Sequence, residues 1–119
     1  GLGDVYKRQP LISMGDAPDK PNPKGFINLS KKLLGDRLGE SNIPIAYVGD
    51  TISDINTVLN ARKEIPAQKF ISIGIAPPHL HLKSRLKERN AYEKNLQKVG
   101  ADIILGSIND IKNINLDLF

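Results

Sequence analysis

The sequence predicts an α/β domain built on parallel strands. Short apolar, β-rich runs recur at 43–48, 70–75 and 103–105, and stretches of helical periodicity separate them. The run at 43–48 does not alternate in polarity, as expected of a strand buried on both faces. Strands that alternate with helices pair in parallel through right-handed crossovers.

Taken in order, Pro10-Leu11-Ile12-Ser13-Met14 is an apolar run closed by Gly15-Asp16-Ala17-Pro18, which predicts a strand and a turn. Asp19-Lys20-Pro21-Asn22-Pro23 is stiff, because each proline fixes its own φ and drives its predecessor out of the helical region. A helix is expected from about Lys24. There Phe26, Leu29 and Leu33 recur at i, i+3 and i+7, Ile27 and Leu34 broaden the stripe, and Gly35 can close it. Gly35 to Asn42 is a polar connection, and Ile43 to Val48 is the next strand. From Ile52, Ile55 and Leu59 mark a helix face with Val58 beside them, running to about Lys63. Phe70 to Ile75 is another strand, broken by Ala76-Pro77-Pro78. Leu82 to Val99 is helical in composition, but its apolar positions change phase between Leu86 and Tyr92; one helix with an irregular start, or two shorter ones, is expected. Gly100-Ala101-Asp102 leads into a last strand at Ile103 to Leu105, and Ser107 to Lys112 makes a final short helix.

At 119 residues the chain is one domain at most, and 39% hydrophobic with 25% charged residues matches an ordinary folded protein. No run is long enough to span a membrane, and no signal-peptide pattern opens the chain. Absence of cysteine excludes disulfides and thiolate metal sites and fits a cytoplasmic protein. Much of the net charge of +4 sits between Lys83 and Lys98, where six Lys/Arg face only Glu88 and Glu93. Only Tyr92 there offers a base a stacking surface, so a solvated helix face is expected, and no nucleic-acid partner. Residues 1–9 lack apolar periodicity, and Asp4-Val5-Tyr6-Lys7-Arg8-Gln9 is similar to a translated sequencing-adaptor scar. They are set aside as an artefact, with the native N-terminal part expected to be missing.

Three groups of residues carry chemistry. Asp50 ends a strand and Asp54 falls on the first turn of the next helix, close enough to share one magnesium ion. The plain structural alternative is that Asp50 or Thr51 caps that helix while Asp54 complements its dipole. Lys20 sits on the proline-locked loop thirty residues before Asp50, where its ammonium can neutralise a transferring phosphoryl group. His79 and His81, two residues apart after Pro77-Pro78, have no third ligand nearby and are expected on an exposed loop.

Lys20-Pro21-Asn22-Pro23-Lys24-Gly25-Phe26, then Tyr47-Val48-Gly49-Asp50-Thr51-Ile52-Ser53-Asp54, then Gly100-Ala101-Asp102 closely resemble the C-terminal half of haloacid-dehalogenase-superfamily hydrolases. The nearest match is the phosphatase-like subfamily IA, which carries a helical cap. The resemblance implies that residues 10–119 are the C-terminal part of a Rossmann-like, doubly wound parallel core, lacking the nucleophile strand and the cap. It also implies a magnesium-dependent phosphatase acting on a small phosphorylated metabolite through an aspartyl-phosphate. Lys20 would hold the nucleophile and substrate phosphate in register, and Asp50 would help coordinate Mg2+. Asp54 would be a second ligand or an outer-shell partner; Gly49 would allow close backbone approach and Thr51 would orient the loop.

The family's nucleophile lies in an Asp-x-Asp motif, which this sequence lacks; Asp16 and Asp19 fall downstream of where that strand belongs. The chain alone is therefore expected to be inactive. Removal of the central strand would bare an edge beside Ile45 to Val48 and leave the chain poorly stable. Two other readings are an α/β receiver-like module that binds an ion without catalysis, and a basic interaction module using Lys83 to Lys98.

Overall fold

The computed structural model describes residues 11–14, 17–40 and 42–114; residues 1–10, Gly15 and Asp16 lie outside these. Four strands form one sheet: β1 (Leu11–Met14), β2 (Ile45–Gly49), β3 (Phe70–Ile75) and β4 (Ile103–Leu105), in the order β1-β2-β3-β4. Every pairing is parallel. The crossovers carry α1 (Lys24–Leu34), α2 (Ile52–Glu64) and α3 (Leu86–Val99).

The pairing corrects one expectation. The edge of β2 is not bare: β1 lies along it, with Leu11 opposite Ile45 and Met14 opposite Val48. That ladder supplies the hydrogen-bond partners a buried-type strand needs, so the poor stability expected from an open β2 edge loses its premise.

Register assigns each side chain to a face. Ile45 and Tyr47 of β2 stand beside Phe70 and Ser72 of β3, and Gly74 beside Ile104 of β4. On this face Phe26, Ile27 and Leu34 of α1 pack with Ile45, Tyr47, Phe70 and the α2 residues Val58 and Ala61. Leu96 of α3 joins Ile55 and Ala101 there, with Ile104 against them. The opposite face presents Ala46, Val48, Ile71, Ile73 and Leu105, packed with Ile111 and Ile114 from the 3-10 turn Ile108–Asn113 and its end. Among the described residues all three helices thus lie on one face, and the strand order never reverses. These residues do not form a doubly wound sheet: each crossover joins neighbouring strands in the same direction across the sheet, and crossovers of one hand then return every helix to the same side.

Local sequence accounts for the elements. The Phe26 ring lies 4.8 Å from that of Tyr47 and 5.2 Å from that of Phe70, and each fully buried aromatic or aliphatic side chain contributes about 2 kcal/mol. The buried stripe of α1 is Phe26, Ile27, Ser30 and Leu34, whereas Leu33 is half exposed. Gly35 ends the helix at φ 57°, a left-handed value that favours glycine. In α2 Ile52 points outward and Ile55, Val58 and Ala61 are buried. A 3-10 turn at Lys83–Arg85 precedes α3, which is one helix with an irregular start. Arg85 at its N-cap forms an exposed pair with Glu88, and Arg89 a partly buried pair with Glu93, each at 3.2 Å. No helix among the described residues is long and apolar enough to cross a membrane.

Asp102, after the α3 C-terminus at Gly100, ties α2 to the sheet. Its Oδ2 accepts from the Ser72 N–H at 2.8 Å and from Arg62 Nη2, while Arg62 also donates to the Phe70 carbonyl. Asp102→Ala leaves the Ser72 amide and the guanidinium short of an acceptor. A loss of about 2 kcal/mol in urea unfolding is expected.

Candidate functional site

The site grows from the junction of β2 and α2. Thr51 is the N-cap of α2, with its Oγ1 accepting from the Asp54 N–H at 3.1 Å. Asp54 closes the capping box: its Oδ2 accepts from the Thr51 N–H at 3.0 Å, the Thr51 hydroxyl at 2.8 Å and the Asp50 N–H at 3.1 Å. To do so the Asp54 side chain lies directly over Gly49. A Cβ on Gly49 would stand 2.2 Å from the Asp54 Cβ and 2.5 Å from its Oδ2. Glycine at 49 is thus demanded by close approach.

The other Asp54 oxygen faces the proline-rich loop. Lys20 Nζ donates to Oδ1 at 2.7 Å, and the Tyr47 hydroxyl approaches the same oxygen at 3.5 Å. The loop that delivers Lys20 is held at several points. Tyr47 OH accepts from the Ala17 N–H at 3.2 Å, Asn60 of α2 donates to the Pro21 carbonyl at 3.0 Å, and Asn22 Oδ1 accepts from the Lys24 N–H at 2.9 Å. Asp19 takes a left-handed φ of 61° and the Lys20–Pro21 peptide is cis. Pro18 fills the space a Cβ on Gly25 would occupy, which seats the loop on the first turn of α1.

Asp54 is therefore a carboxylate only 1% exposed, with an ammonium and four further donors around its two oxygens. Burial of a charge on this scale is tolerable only with such pairing. Its four or so lone-pair directions are taken up by these donors, which hold the loop, the cap of α2 and Lys20 together.

Asp50 is placed differently. Its backbone is engaged, but its residue lines an open cleft of about 520 Å³ at the C-terminal ends of β2 and β3. Asp54, His81 and Ser107 are the other polar residues of the lining, and the rest of the wall is Gly49 and apolar side chains such as Val48, Ile75 and Ile108. The carboxyl end of a parallel sheet is where ligands bind in open α/β folds. Of the residues singled out in the sequence, Gly49, Asp50 and Asp54 border the cleft, Thr51 caps α2 beside them, and Lys20 reaches Asp54 Oδ1 from the proline-rich loop without lining the cleft.

His81 departs from expectation. His79 is exposed as foreseen, but His81 is half buried, its Nε2 lies 2.7 Å from the Ala76 carbonyl, and it borders the cleft across from Asp50. Ser107 and Tyr92 were likewise not legible as site residues. Tyr92 reaches in from α3 and donates its hydroxyl to the Asp50 carbonyl, 42 residues away. Nothing local in the sequence marks that contact.

Burial, then the negative charges of Asp50 and Asp54, raise the Tyr92 pKa above its ordinary 10.0. A phenol whose folded pKa lies above the unfolded value contributes stability that is present below pH 10 and is lost as pH climbs through the folded value. Chemical denaturation is expected to show stability falling above pH 10, with a shallower fall in Tyr92→Phe.

As a cation site the junction has a specific character. Among the described residues no three His, Asp or Glu side chains gather into a cage. Magnesium, however, commonly takes one or two carboxylates and completes its shell with water and substrate phosphate. Asp50 fits that demand, and Asp54 fits an outer role in which it orders the Asp50 backbone and the Lys20 ammonium. Comparison with protein-family models, curated proteins and solved structures finds no match to this chain.

Proposed function

We propose that this chain contributes the cation and phosphate half of a magnesium-dependent phosphatase of the haloacid-dehalogenase type, acting on a small phosphate ester. The observation that carries the reading is the Lys20–Asp54 contact at 2.7 Å beside Asp50 at the mouth of the sheet. A lysine from one loop and an acid pair from another, 34 residues apart, meet at the carboxyl ends of parallel strands. Such convergence of opposite charges suits an anion together with its counter-cation.

In this reading Asp50 holds Mg2+, which when bound neutralises phosphate charge as a Lewis acid. Lys20, kept in place by Asp54, turns one face of its ammonium to a phosphate oxygen and stabilises charge on the transferring group. Asp54 and the Thr51 cap keep both groups at fixed separation, so little reorganisation accompanies the reaction. Phosphoryl transfer itself takes an aspartyl nucleophile from an Asp-x-Asp segment, and this sequence has none. The chain by itself is inactive in this reading.

Two measurements test it. Incubation with a generic phosphate ester and Mg2+ is expected to give no turnover; robust hydrolysis by the purified chain refutes the assigned division of roles. Calorimetric titration with Mg2+ in the presence of inorganic phosphate is expected to show uptake that Asp50→Asn weakens at least tenfold, with thermal stability almost unchanged. Equal uptake by the variant removes Asp50 from the site.

A further inference from the structure

We infer that Tyr92 is a positioning residue for the Asp50 carboxylate: it clamps the peptide that carries the carboxylate, so that the ion meets a ligand already aimed. The inference rests on the cation-binding role proposed for Asp50 and goes beyond it to a residue of another helix.

The peptide unit joining Asp50 to Thr51 is held at both ends. Its carbonyl accepts the Tyr92 hydroxyl from α3, and its N–H donates to Asp54 Oδ2 at 3.0 Å from α2. The preceding N–H, that of Asp50 itself, goes to the same carboxylate oxygen at 3.1 Å. Both backbone polar groups of Asp50 are therefore committed to opposing helices, and the direction of its Cα–Cβ bond is set by partners outside the loop. The anchors are themselves firm. The Tyr92 ring packs with Ile55, Leu96 and Ala101 where α3 meets α2, and Asp54 is buried.

A hydrogen bond to a neutral carbonyl at the rim of an open cleft is replaceable by water at small cost to folding. Its loss frees the peptide to turn, and the cost falls on the ligand geometry instead. Groups that orient a metal ligand without touching the metal typically govern 10–100-fold in affinity.

The test uses the full chain and Mn2+ as probe, with free Mn2+ followed by electron paramagnetic resonance. Tyr92→Phe keeps the ring and removes only the hydroxyl. It is expected to weaken Mn2+ binding about tenfold with a Tm within a few degrees of the parent, and to speed amide exchange at Thr51. Val58→Ala, a cavity variant in the core away from the cleft, is expected to do the reverse: a lower Tm and unchanged Mn2+ affinity. Unchanged affinity in Tyr92→Phe, or an equal loss in Val58→Ala, overturns the positioning role while leaving the Asp50 site intact. Failure of the unsubstituted chain to bind Mn2+ removes the cation site itself and the Tyr92 inference with it.

Discussion

Gly49→Ala is expected to be the most damaging glycine-to-alanine change among the described residues, lowering Tm by roughly 10–20 °C. The new Cβ would lie 2.2 Å from the Cβ and 2.3 Å from the Cγ of Asp54, separations that no rotamer change relieves because Asp54 is anchored on the first turn of α2. The turn must move away from β2, and the carboxylate leaves its donors with it. Overpacking typically costs 1–3 kcal/mol, and loss of the buried ion pair adds to it, giving about 3 kcal/mol or more. Gly106→Ala is the natural control. Its added methyl meets Arg89 and Asp110 side chains only at 3.5 and 3.6 Å, ordinary contact distances, and stability is expected to change by less than about 0.5 kcal/mol. Circular-dichroism melts of the two variants side by side check both expectations.

Asp54→Ala is expected to cost about 3 kcal/mol and to disconnect the two halves of the site. Truncation strands the Asp50 and Thr51 N–H groups and removes the capping box, a loss that alone runs to about 1 kcal/mol. The Lys20 ammonium is partly exposed and can turn to water, so its share of the ion-pair energy is discounted. Asp54→Asn is gentler, about 2 kcal/mol: one amide oxygen can still accept from the Thr51 cap, but the NH2 is turned against Lys20 or against the backbone donors. Urea titrations rank the pair. A loss below about 1 kcal/mol for Asp54→Ala shows that the loop does not depend on this carboxylate.

Much of the fold is legible because punctuation residues stand at its boundaries. Gly35 closes α1, Pro77-Pro78 follows the end of β3, and Gly100 caps α3. Phase is harder to read than extent. The stripe Phe26, Leu29, Leu33 satisfies helical spacing, yet Ile27 and Leu34 are buried while Leu33 faces water. Adjacent apolar residues offer two nearly equal faces, and the choice falls to Tyr47 and Phe70, which meet Phe26 from strands far along the chain. The strand neighbours were also beyond local reading. Nothing in residues 11–14 states that they pair with β2.

The same division holds at the site. Lys20, Asp50 and Asp54 stand out as charged residues on rigid or strand-end positions; the Lys20 ammonium reaches the Asp54 carboxylate, which also accepts from the Asp50 N–H. Their separate duties are not visible in the spacing. An acid four residues after another reads equally as a second ion ligand or as an outer-shell partner, and the spacing does not show that both Asp54 oxygens also meet Lys20, Tyr47, Thr51 and the Asp50 amide. His81 comes to the cleft only through the turn after β3, and Tyr92 to the Asp50 carbonyl only through the packing of α3 on α2, neither of which leaves a local signature.

Mn2+ titration followed by amide NMR line broadening locates the cation directly. Signals of Gly49, Asp50 and Thr51 are expected to disappear first, at metal concentrations that leave the last turn of α1, at the other end of the sheet, unaffected, and Asp50→Asn is expected to abolish that selectivity. Broadening centred instead on the Glu88–Glu93 surface of α3, or selective loss at residues 49–51 that persists in Asp50→Asn, contradicts a cation site at the carboxyl end of β2.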